Sequence, residues 1–241
     1  MLLDYTVINE QGGREYQEDS TAAYVLDDAA AFWVADGLGG HGHGKDASET
    51  VIMHCRNGLE ESESAEEYFQ MAFLGGNELL LEEQNRLGNR KTMKTTLVGC
   101  LLREQELTWA HIGDSRFYLF KNGKMVFRTR DHSVPQLLAL SGRIQESEIR
   151  NHPDRNRVLR VLGAESGEAK YEIGWTVLAE EGMSILLCTD GFWELITEER
   201  METCLQESRN SEEWMERMRE HVLKTGEGKN MDNFTAVGIR M

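Results

Sequence analysis

An Asn-Gly pair between two apolar segments is the feature that most limits how this chain can fold. Asn122-Gly123 lies between RFYLF and MVFRT, and it indicates an antiparallel hairpin because both turn positions need a positive φ. The flanking segments, 116–120 and 124–129, are therefore predicted strands. Eight other short segments are apolar or alternating, which predicts further strands at 5–10, 21–26, 30–36, 95–103, 106–112, 171–178, 183–189 and 234–240.

Segments with helical periodicity lie between and after these strands. They are 44–58, 65–87, 133–141, 145–150, 197–207 and 211–224. Because strands and helices do not alternate one by one, the pattern favours an α+β fold of antiparallel sheets covered by helices over a parallel βαβ sheet. The chain has 241 residues, two prolines and no linker-like stretch, so a single domain spanning 1–241 is expected.

Composition excludes several classes of protein. The net charge of −16 disfavours a nucleic-acid partner, since such binding neutralises phosphates with Lys and Arg. No apolar stretch approaches the roughly 20 residues that span a bilayer, and MLLDYTVINEQ lacks the features of a secretory signal. The four cysteines are far apart and form no C-x-x-C pair, which predicts reduced core residues. A cytoplasmic protein is expected.

The glycine-rich stretch VADGLGGHGHGKDAS, residues 34–48, has two nucleotide-binding interpretations that fail on inspection. A phosphate-cradling P-loop needs Ser or Thr after Lys45, but Asp46 follows and would bring a negative charge to the phosphates. A dinucleotide-binding turn needs an acidic residue after a second strand, whereas Glu60 follows a helical segment. The remaining interpretation starts from Asp36, where an apolar run stops.

Acidic residues recur at the ends of predicted strands. AAFWVAD ends at Asp36, LTWAHIGD at Asp114 and SILLCTD at Asp190, while two further acidic positions precede strands, at Glu18-Asp19 and at Asp232. If these ends converge, the carboxylates repel one another unless they share cations. An all-oxygen donor set favours Mg²⁺ or Mn²⁺ over zinc. Metal-assisted phosphoester hydrolysis is the reaction class that this pattern predicts.

Nearly the whole chain resembles the protein phosphatase 2C family of metal-dependent Ser/Thr phosphatases, especially its compact bacterial members. The matching blocks occur in family order: GGREYQEDS, VADGLGGHGHGKDAS, KTTLVGCLL, WAHIGDSRFYLF, RTRDHSVPQLLALSGRI, HPDRNRVLRVLG, ILLCTDGFWELI and MDNFTAVGI. The resemblance implies a four-layer α/β/β/α sandwich of two antiparallel β-sheets flanked by helix pairs. It also implies two Mg²⁺ or Mn²⁺ ions at one end of the sandwich, with a third, weaker ion beside them.

The resemblance assigns roles to individual residues. The implied metal ligands are Glu18, Asp19, Asp36, Gly37, Asp114, Asp190 and Asp232. Among them, Asp36 bridges the two ions, Gly37 contributes its backbone carbonyl, and Asp114 shares the third ion with Asp190. The implied catalytic residues are Arg14, Asp36, Asp190, Asn233 and His41.

Within that set, Arg14 corresponds to the arginine that grips the substrate phosphate, and Asn233 to a residue that positions phosphate or water. A flap at about 141–170 adjoins the site. The chain departs from the family at Leu38, where many eukaryotic members have a histidine that serves as the proposed general acid. His41 is a candidate substitute. Glu194 stands where an aspartate is usual, which keeps the charge and changes its reach.

The expected activity is hydrolysis of phosphoserine and phosphothreonine in proteins by direct attack of a metal-bound water, without a covalent phosphoenzyme. The expected partners are phosphorylated proteins and a cognate Ser/Thr kinase, and a monomer is expected. Two alternatives stay open at this point: a catalytically silent scaffold of the same fold that binds phosphoproteins, and a phosphatase for small metabolites.

Overall fold

The computed structural model describes residues 3–38, 43–89, 91–164 and 169–241. Its strands are β1 (Asp4–Glu10), β2 (Asp19–Val25), β3 (Ala29–Leu38), β4 (Lys94–Thr95), β5 (Leu97–Arg103), β6 (Glu106–Ile112), β7 (Arg116–Lys121), β8 (Lys124–Arg128), β9 (Glu172–Ile173), β10 (Val177–Leu178), β11 (Met183–Cys188) and β12 (Phe234–Arg240). The helices are α1 (His43–Glu61), α2 (Ala65–Gln70), α3 (Gly76–Leu87), α4 (Val134–Leu140), α5 (Asp190–Trp193), α6 (Glu198–Gln206) and α7 (Ser211–Gly226).

The strands form two antiparallel sheets. One sheet has the order β1-β12-β11-β7-β8, and the other has the order β10-β6-β5-β3-β2, with β4 paired to β3 and β9 paired to β6. β7 and β8 form the predicted hairpin, in which Asn122 and Gly123 both have positive φ. Antiparallel pairing throughout confirms the predicted α+β class.

Three apolar clusters make this arrangement a four-layer sandwich. Adjacent side chains of a strand point to opposite faces, so Phe32 of β3 enters the cluster between the two sheets while Trp33 enters the cluster between its sheet and α1–α3. A third cluster, which contains Trp214 and Met218 of α7, lies between the other sheet and α5–α7. β3 is covered on both faces, which explains why its sequence is continuously apolar rather than alternating.

The prediction of one continuous strand over 171–178 is wrong for the middle of that segment. β9 and β10 each contain two residues, and both pair with β6, but Gly174–Thr176 interrupt them. Gly174 donates its amide to the Trp109 carbonyl at 2.8 Å, and a Cβ at this position would lie 2.3 Å from the Trp109 indole. Close packing against that ring therefore replaces regular pairing.

Two helical predictions also need correction. A π-helical turn, Met71–Gly75, interrupts the segment predicted as one helix over 65–87, and Glu146–Asn151 forms a 3₁₀ helix. The short helix α5 was not predicted. It follows Thr189, whose extended backbone ends β11 before the chain turns into the helix, and four residues are too few to show helical periodicity.

Candidate functional site

Strand pairing brings the predicted acidic positions to one end of the sandwich. Asp19 and Asp36 are directly opposed in the β2–β3 pair. Asp190 follows β11 and Asp232 precedes β12, and these strands are antiparallel with Cys188 opposite Ala236. Asp114 lies in the turn between β6 and β7. The register of both sheets therefore gathers aspartates that are up to 213 positions apart in sequence, the separation from Asp19 to Asp232.

These carboxylates lie close enough to raise one another's pKa values. Burial raises the pKa of Asp36 well above its usual range, and the charges of Asp190, Asp19, Asp114 and Asp232 add to the rise. The pKa of Asp190 is likewise raised, first by burial and then by Asp114 and Asp232. Each charged aspartate makes its neighbours harder to ionise.

Two members of the cluster have pKa values near neutrality. Burial raises the pKa of Asp19 to about 7, although its Oδ2 accepts a 2.8 Å hydrogen bond from Thr189 Oγ1 that favours the charged form. Burial, followed by the charge of Asp131, raises the pKa of Asp114 to about 7. In the metal-free protein both carboxylates are therefore partly protonated near neutral pH, so a bound cation would displace a proton.

Glu18 and Gly37 meet the first turn of α1. The Gly44 amide donates to Glu18 Oε1 at 3.2 Å, and the Gly37 amide donates to the Glu18 carbonyl at the same distance. A Cβ on Gly37 would lie 2.1 Å from the Gly44 carbonyl oxygen and 2.5 Å from that of Glu18. Only glycine permits this approach, which holds the Glu18 carboxylate beside the end of β3.

Arg14 reaches the acidic cluster from the surface. Its Nη2 lies 2.5 Å from Asp232 Oδ2, and the Arg14 side chain is 48% exposed. A guanidinium at the mouth of the site can pair with a phosphate through two parallel hydrogen bonds. Arg14 therefore lies beside a predicted metal ligand with about half of its side chain exposed to solvent.

Asn233 is engaged with backbone rather than open to a ligand. Its Oδ1 accepts from the Glu18 amide at 2.9 Å, and its Nδ2 donates to the Gln11 and Tyr16 carbonyls at 2.7 and 2.9 Å. These bonds use both amide hydrogens and one acceptor position. Asn233 therefore anchors the 11–18 loop, which carries Arg14 and Glu18.

Three residues around the site were missed by sequence reasoning, although Arg116 and Asp131 lie inside the conspicuous blocks GDSR and RDH, and Trp193 lies in DGFWELI. The buried Arg116 pairs with Asp131 through two hydrogen bonds of 2.7 Å. Its guanidinium lies over the Trp193 ring, 3.4 Å from the centroid, and the Trp193 indole donates to the Asp114 carbonyl at 2.9 Å. This stack supports the turn that presents Asp114.

Glu194 lies at the edge of the cluster. Its pKa is raised by burial, while the hydrogen bond from Arg155 opposes the shift. Arg155 Nε donates to Glu194 Oε2 at 3.0 Å, so the segment predicted as a flap contacts the site through this pair.

A separate group, His111, His132 and Glu172, has donor atoms within 4.8 Å of one another. Hydrogen bonding disfavours a metal there. His132 Nδ1 accepts from the Gly113 amide at 3.1 Å, which leaves the proton on Nε2, 3.1 Å from Glu172 Oε1. In the described part of the chain, no three of the predicted acidic ligands come together as closely as this group, as expected for carboxylates that repel one another.

The acidic cluster suits hard divalent cations. Its donors are carboxylates, its aspartates Asp19 and Asp114 are buried, and among the described residues Arg14 is the one cation in ion-pair contact with any of the predicted aspartate ligands. Mg²⁺ and Mn²⁺ prefer such oxygen ligands. His41, the candidate general acid, lies outside the described residues.

Comparison with known sequences decides the family. The family described as Protein phosphatase 2C matches residues 11–233. The chain belongs to the protein phosphatase 2C family. This phosphatase is 32% identical over 213 residues to the serine/threonine phosphatase stp of Listeria innocua, an alignment that covers 85% of this chain and 80% of that protein. It is also 30% identical over 213 residues to PstP of Mycobacterium tuberculosis, covering 86% of this chain and 39% of that longer protein.

Solved structures agree with this assignment. The phosphatase superposes on the M. tuberculosis serine/threonine phosphatase PstP/Ppp with a TM-score of 0.86 at 29% identity, over 100% of this chain and 99% of the other. The PstP catalytic domain in complex with two manganese ions gives a TM-score of 0.83 at 28% identity, over 99% and 97% of the two chains. The protein is a metal-dependent serine/threonine phosphatase that uses Mg²⁺ or Mn²⁺, and the predicted four-layer sandwich is confirmed. No helix among the described residues is long and apolar enough to cross a membrane.

Proposed function

We propose that the acidic cluster holds the divalent ions as the resemblance implies, and that Arg14 binds the phosphate of a phosphoserine or phosphothreonine beside them. The observation that supports this most strongly is the convergence of aspartates from both sheets, the buried Asp114 with the half-buried Asp36 and Asp190, whose pKa values rise together. In this proposal Asp19, Asp36, Asp190 and Asp232 are ligands of the two principal ions, with Glu18 and the Gly37 carbonyl completing the set. Asp114 and Asp190 hold the third, weaker ion.

The chain's own groups would bind and orient the substrate. Bound divalent ions would lower the pKa of a water molecule and neutralise charge on the phosphoryl oxygens. Arg14 would exchange its contact with Asp232 for the substrate phosphate and orient it beside the ions. Burial raises the pKa of the Cys188 thiol, which makes a phosphocysteine route unfavourable. Proton delivery to the leaving oxygen by His41 remains part of the proposal.

The biological setting is proposed from the state of the cysteines and from the expected activity. The four cysteines are free and buried, a pattern that suits a reducing compartment, and we propose that the protein acts in the cytoplasm as a single-domain monomer. Its substrates would be proteins phosphorylated by a cognate Ser/Thr kinase. Hydrolysis of phosphopeptides in preference to sugar phosphates would support protein substrates over small metabolites.

The test is activity on a phosphothreonine peptide with Mn²⁺, with chelator, and after substitution. Asp36→Asn and Asp232→Asn each remove several kcal/mol of transition-state stabilisation, so kcat/KM is expected to fall by about 10²–10³-fold. Asp28→Asn, at the opposite end of β3 and exposed, is the matched control and retains activity. Full metal-dependent activity in Asp36→Asn would refute its assignment as the bridging ligand.

Calorimetric Mn²⁺ titration, paired with a hydrolysis assay, separates an enzyme from a silent scaffold. An enzyme binds the ion and releases phosphate from the peptide, whereas a scaffold binds the ion without turnover. The same titration on Asp36→Asn is expected to show weaker binding, which ties loss of turnover to loss of the ion.

A further inference from the structure

A groove of about 480 Å³ opens beside the acidic cluster. Arg14, Asp190 and Asp232 lie at its inner end, and Arg150, Arg155 and Lys229 line its walls. Its volume falls within the range of about 300–1,000 Å³ that is typical of ligand pockets. A phosphate bound at Arg14 would fill one end and leave space for the residues that flank it in a peptide.

The charge of this groove is opposite to that of the protein. Four of its lining residues are cations and three are carboxylates, Asp190, Glu194 and Asp232, whereas the whole chain carries −16. A larger groove of about 850 Å³ between β1 and α7 has the usual acidic character, with five glutamates and two arginines. Cations are therefore concentrated where a phosphorylated substrate enters.

The cationic side chains of the groove differ in whether they already form an ion pair with a carboxylate. Arg14 pairs with Asp232, and Arg150 Nη2 pairs with Glu198 at 2.8 Å. Arg155 uses Nε for Glu194 and is 40% exposed, with no bond from Nη1 or Nη2 to another described residue. Lys229 is exposed, and its side chain forms no ion pair within the described parts of the chain.

A second groove, of about 570 Å³, continues the first. Both are lined by Arg150 and Asn151, which lie in the 3₁₀ helix. The exposed Arg130 lines this second groove, and its side chain forms no ion pair with another described residue. Lys229 and Arg130 thus each line one of these adjoining grooves without an ion-pair partner among the described residues, and together with Arg155 they form a basic track.

We propose that this track, defined by Lys229, Arg155 and Arg130, binds acidic residues that flank the phosphorylated serine or threonine of the substrate protein. The inference rests on the proposed function, because it takes Arg14 as the phosphate ligand. Binding of ions to the aspartates would make the inner end more positive and strengthen the attraction. The net charge of −16 disfavours acidic substrates in general, so the cations of this track would determine where an acidic substrate approaches.

The test compares two phosphothreonine peptides, one flanked by glutamates and the same peptide with glutamines in their place. An exposed ion pair contributes little by itself, but several act together, so we expect kcat/KM to favour the acidic peptide by about tenfold at low ionic strength. Added salt is expected to reduce this ratio, because exposed charges are screened.

Charge-reversal variants test which residues cause the preference for the acidic peptide. Lys229→Glu and Arg130→Glu are each expected to lower the ratio several-fold with little change on the glutamine peptide, since neither residue touches the reacting group. Arg56→Glu, exposed on α1 in the opposite helical layer, is the matched control and keeps the wild-type ratio.

The outcomes separate this inference from the proposed function. Equal hydrolysis of both peptides by the wild type, or a preference that survives both reversals, overturns the basic track and leaves the phosphatase assignment intact. Failure to hydrolyse either peptide with Mn²⁺ overturns the proposed function itself.

Discussion

At the scale of single residues, the site is built from groups that destabilise the metal-free fold. Asp36 and Asp190 are half-buried among like charges, and their raised pKa values reflect the cost of ionising them there. Proteins retain such an unfavourable ionisation where the charged form is needed for function. Binding of divalent cations needs the charged carboxylates and offsets their repulsion. Under the proposed function, the stability of the metal-free protein and the binding of metal ions are therefore opposed at these positions.

Asp114→Asn is expected to stabilise the metal-free protein at pH 8. The folded pKa of about 7 lies above the unfolded value of about 3.9, so the folded state binds the extra proton and its stability falls as pH rises through this window. The asparagine side chain cannot ionise, so the variant avoids this loss of stability as the pH rises. Thermal unfolding should show a higher Tm for the variant by about 5 °C at pH 8 and nearly equal values at pH 4. An equal difference at both pH values would contradict this.

Gly37→Ala is expected to damage both the fold and the site. The new Cβ would meet the carbonyl oxygens of Gly44 and Glu18, and backbone atoms cannot move aside as a flexible side chain can. We expect unfolding in urea to show a loss of about 1–3 kcal/mol, together with weaker Mn²⁺ binding because Glu18 shifts. Gly76→Ala is the control: its nearest neighbour is a side-chain methyl of Val51 at 3.3 Å, and its stability should change by less than about 1 kcal/mol.

At the scale of elements, the strand ends are held in place by contacts between β7, the segment that follows β8, and α5. Arg116 of β7 pairs with Asp131 and stacks on Trp193 of α5. Trp193 in turn bonds the Asp114 carbonyl. The Gly113 amide also donates to His132 Nδ1. Two neighbouring residues of the turn between β6 and β7, Gly113 and Asp114, are therefore each held by a hydrogen bond to a side chain.

Arg116→Met tests this support. Removing the guanidinium leaves Asp131, which is only 5% exposed, with Arg128 Nη1 at 3.9 Å as its remaining ion-pair partner. Loss of one partner from a buried pair costs about 3–5 kcal/mol, and the remaining arginine places the expected loss at the lower end of that range. Urea denaturation measures the loss. The double variant Arg116→Met/Asp131→Leu is expected to recover much of it because neither charge remains. No recovery in the double variant would indicate that stacking on Trp193, rather than the ion pair, is the main contribution.

At the scale of the whole molecule, the site joins the two sheets. Asp19 and Asp36 belong to the sheet that contains β3, whereas Asp190 and Asp232 lie at the ends of β11 and β12 in the other sheet. Ions bound by both pairs would cross-link the sandwich at one end. Metal binding is therefore expected to stabilise the entire sandwich rather than one loop.

Addition of Mn²⁺ to the metal-free protein is expected to raise its Tm. At an ion concentration about 100 times the Kd, one binding site stabilises the folded state by about 2.7 kcal/mol, which corresponds to roughly 5–10 °C for a protein of this size. Calorimetric scans with and without chelator measure the shift. Asp36→Asn should lose most of it, and an unchanged shift in that variant would place the ions elsewhere.

Much of this architecture could be predicted from local pattern. The Asn122-Gly123 turn, the continuously apolar β3 and the aspartates that end apolar strands are local features, because turn geometry and burial act on neighbouring residues. They were sufficient to predict antiparallel sheets and the acidic cluster. The order of the matching blocks added the family and the assignment of Arg14.

Tertiary structure alone decided what depends on distant partners. The break between β9 and β10 arises from packing on Trp109. The side-chain amide of Asn233 forms hydrogen bonds with the backbone of the 11–18 loop. The basic track likewise joins Arg130, Arg155 and Lys229 across 99 residues of sequence. Sequence determined which residues could carry charge and chemistry. Folding decided which of them meet, because strand register and close packing act between segments that are far apart in the chain.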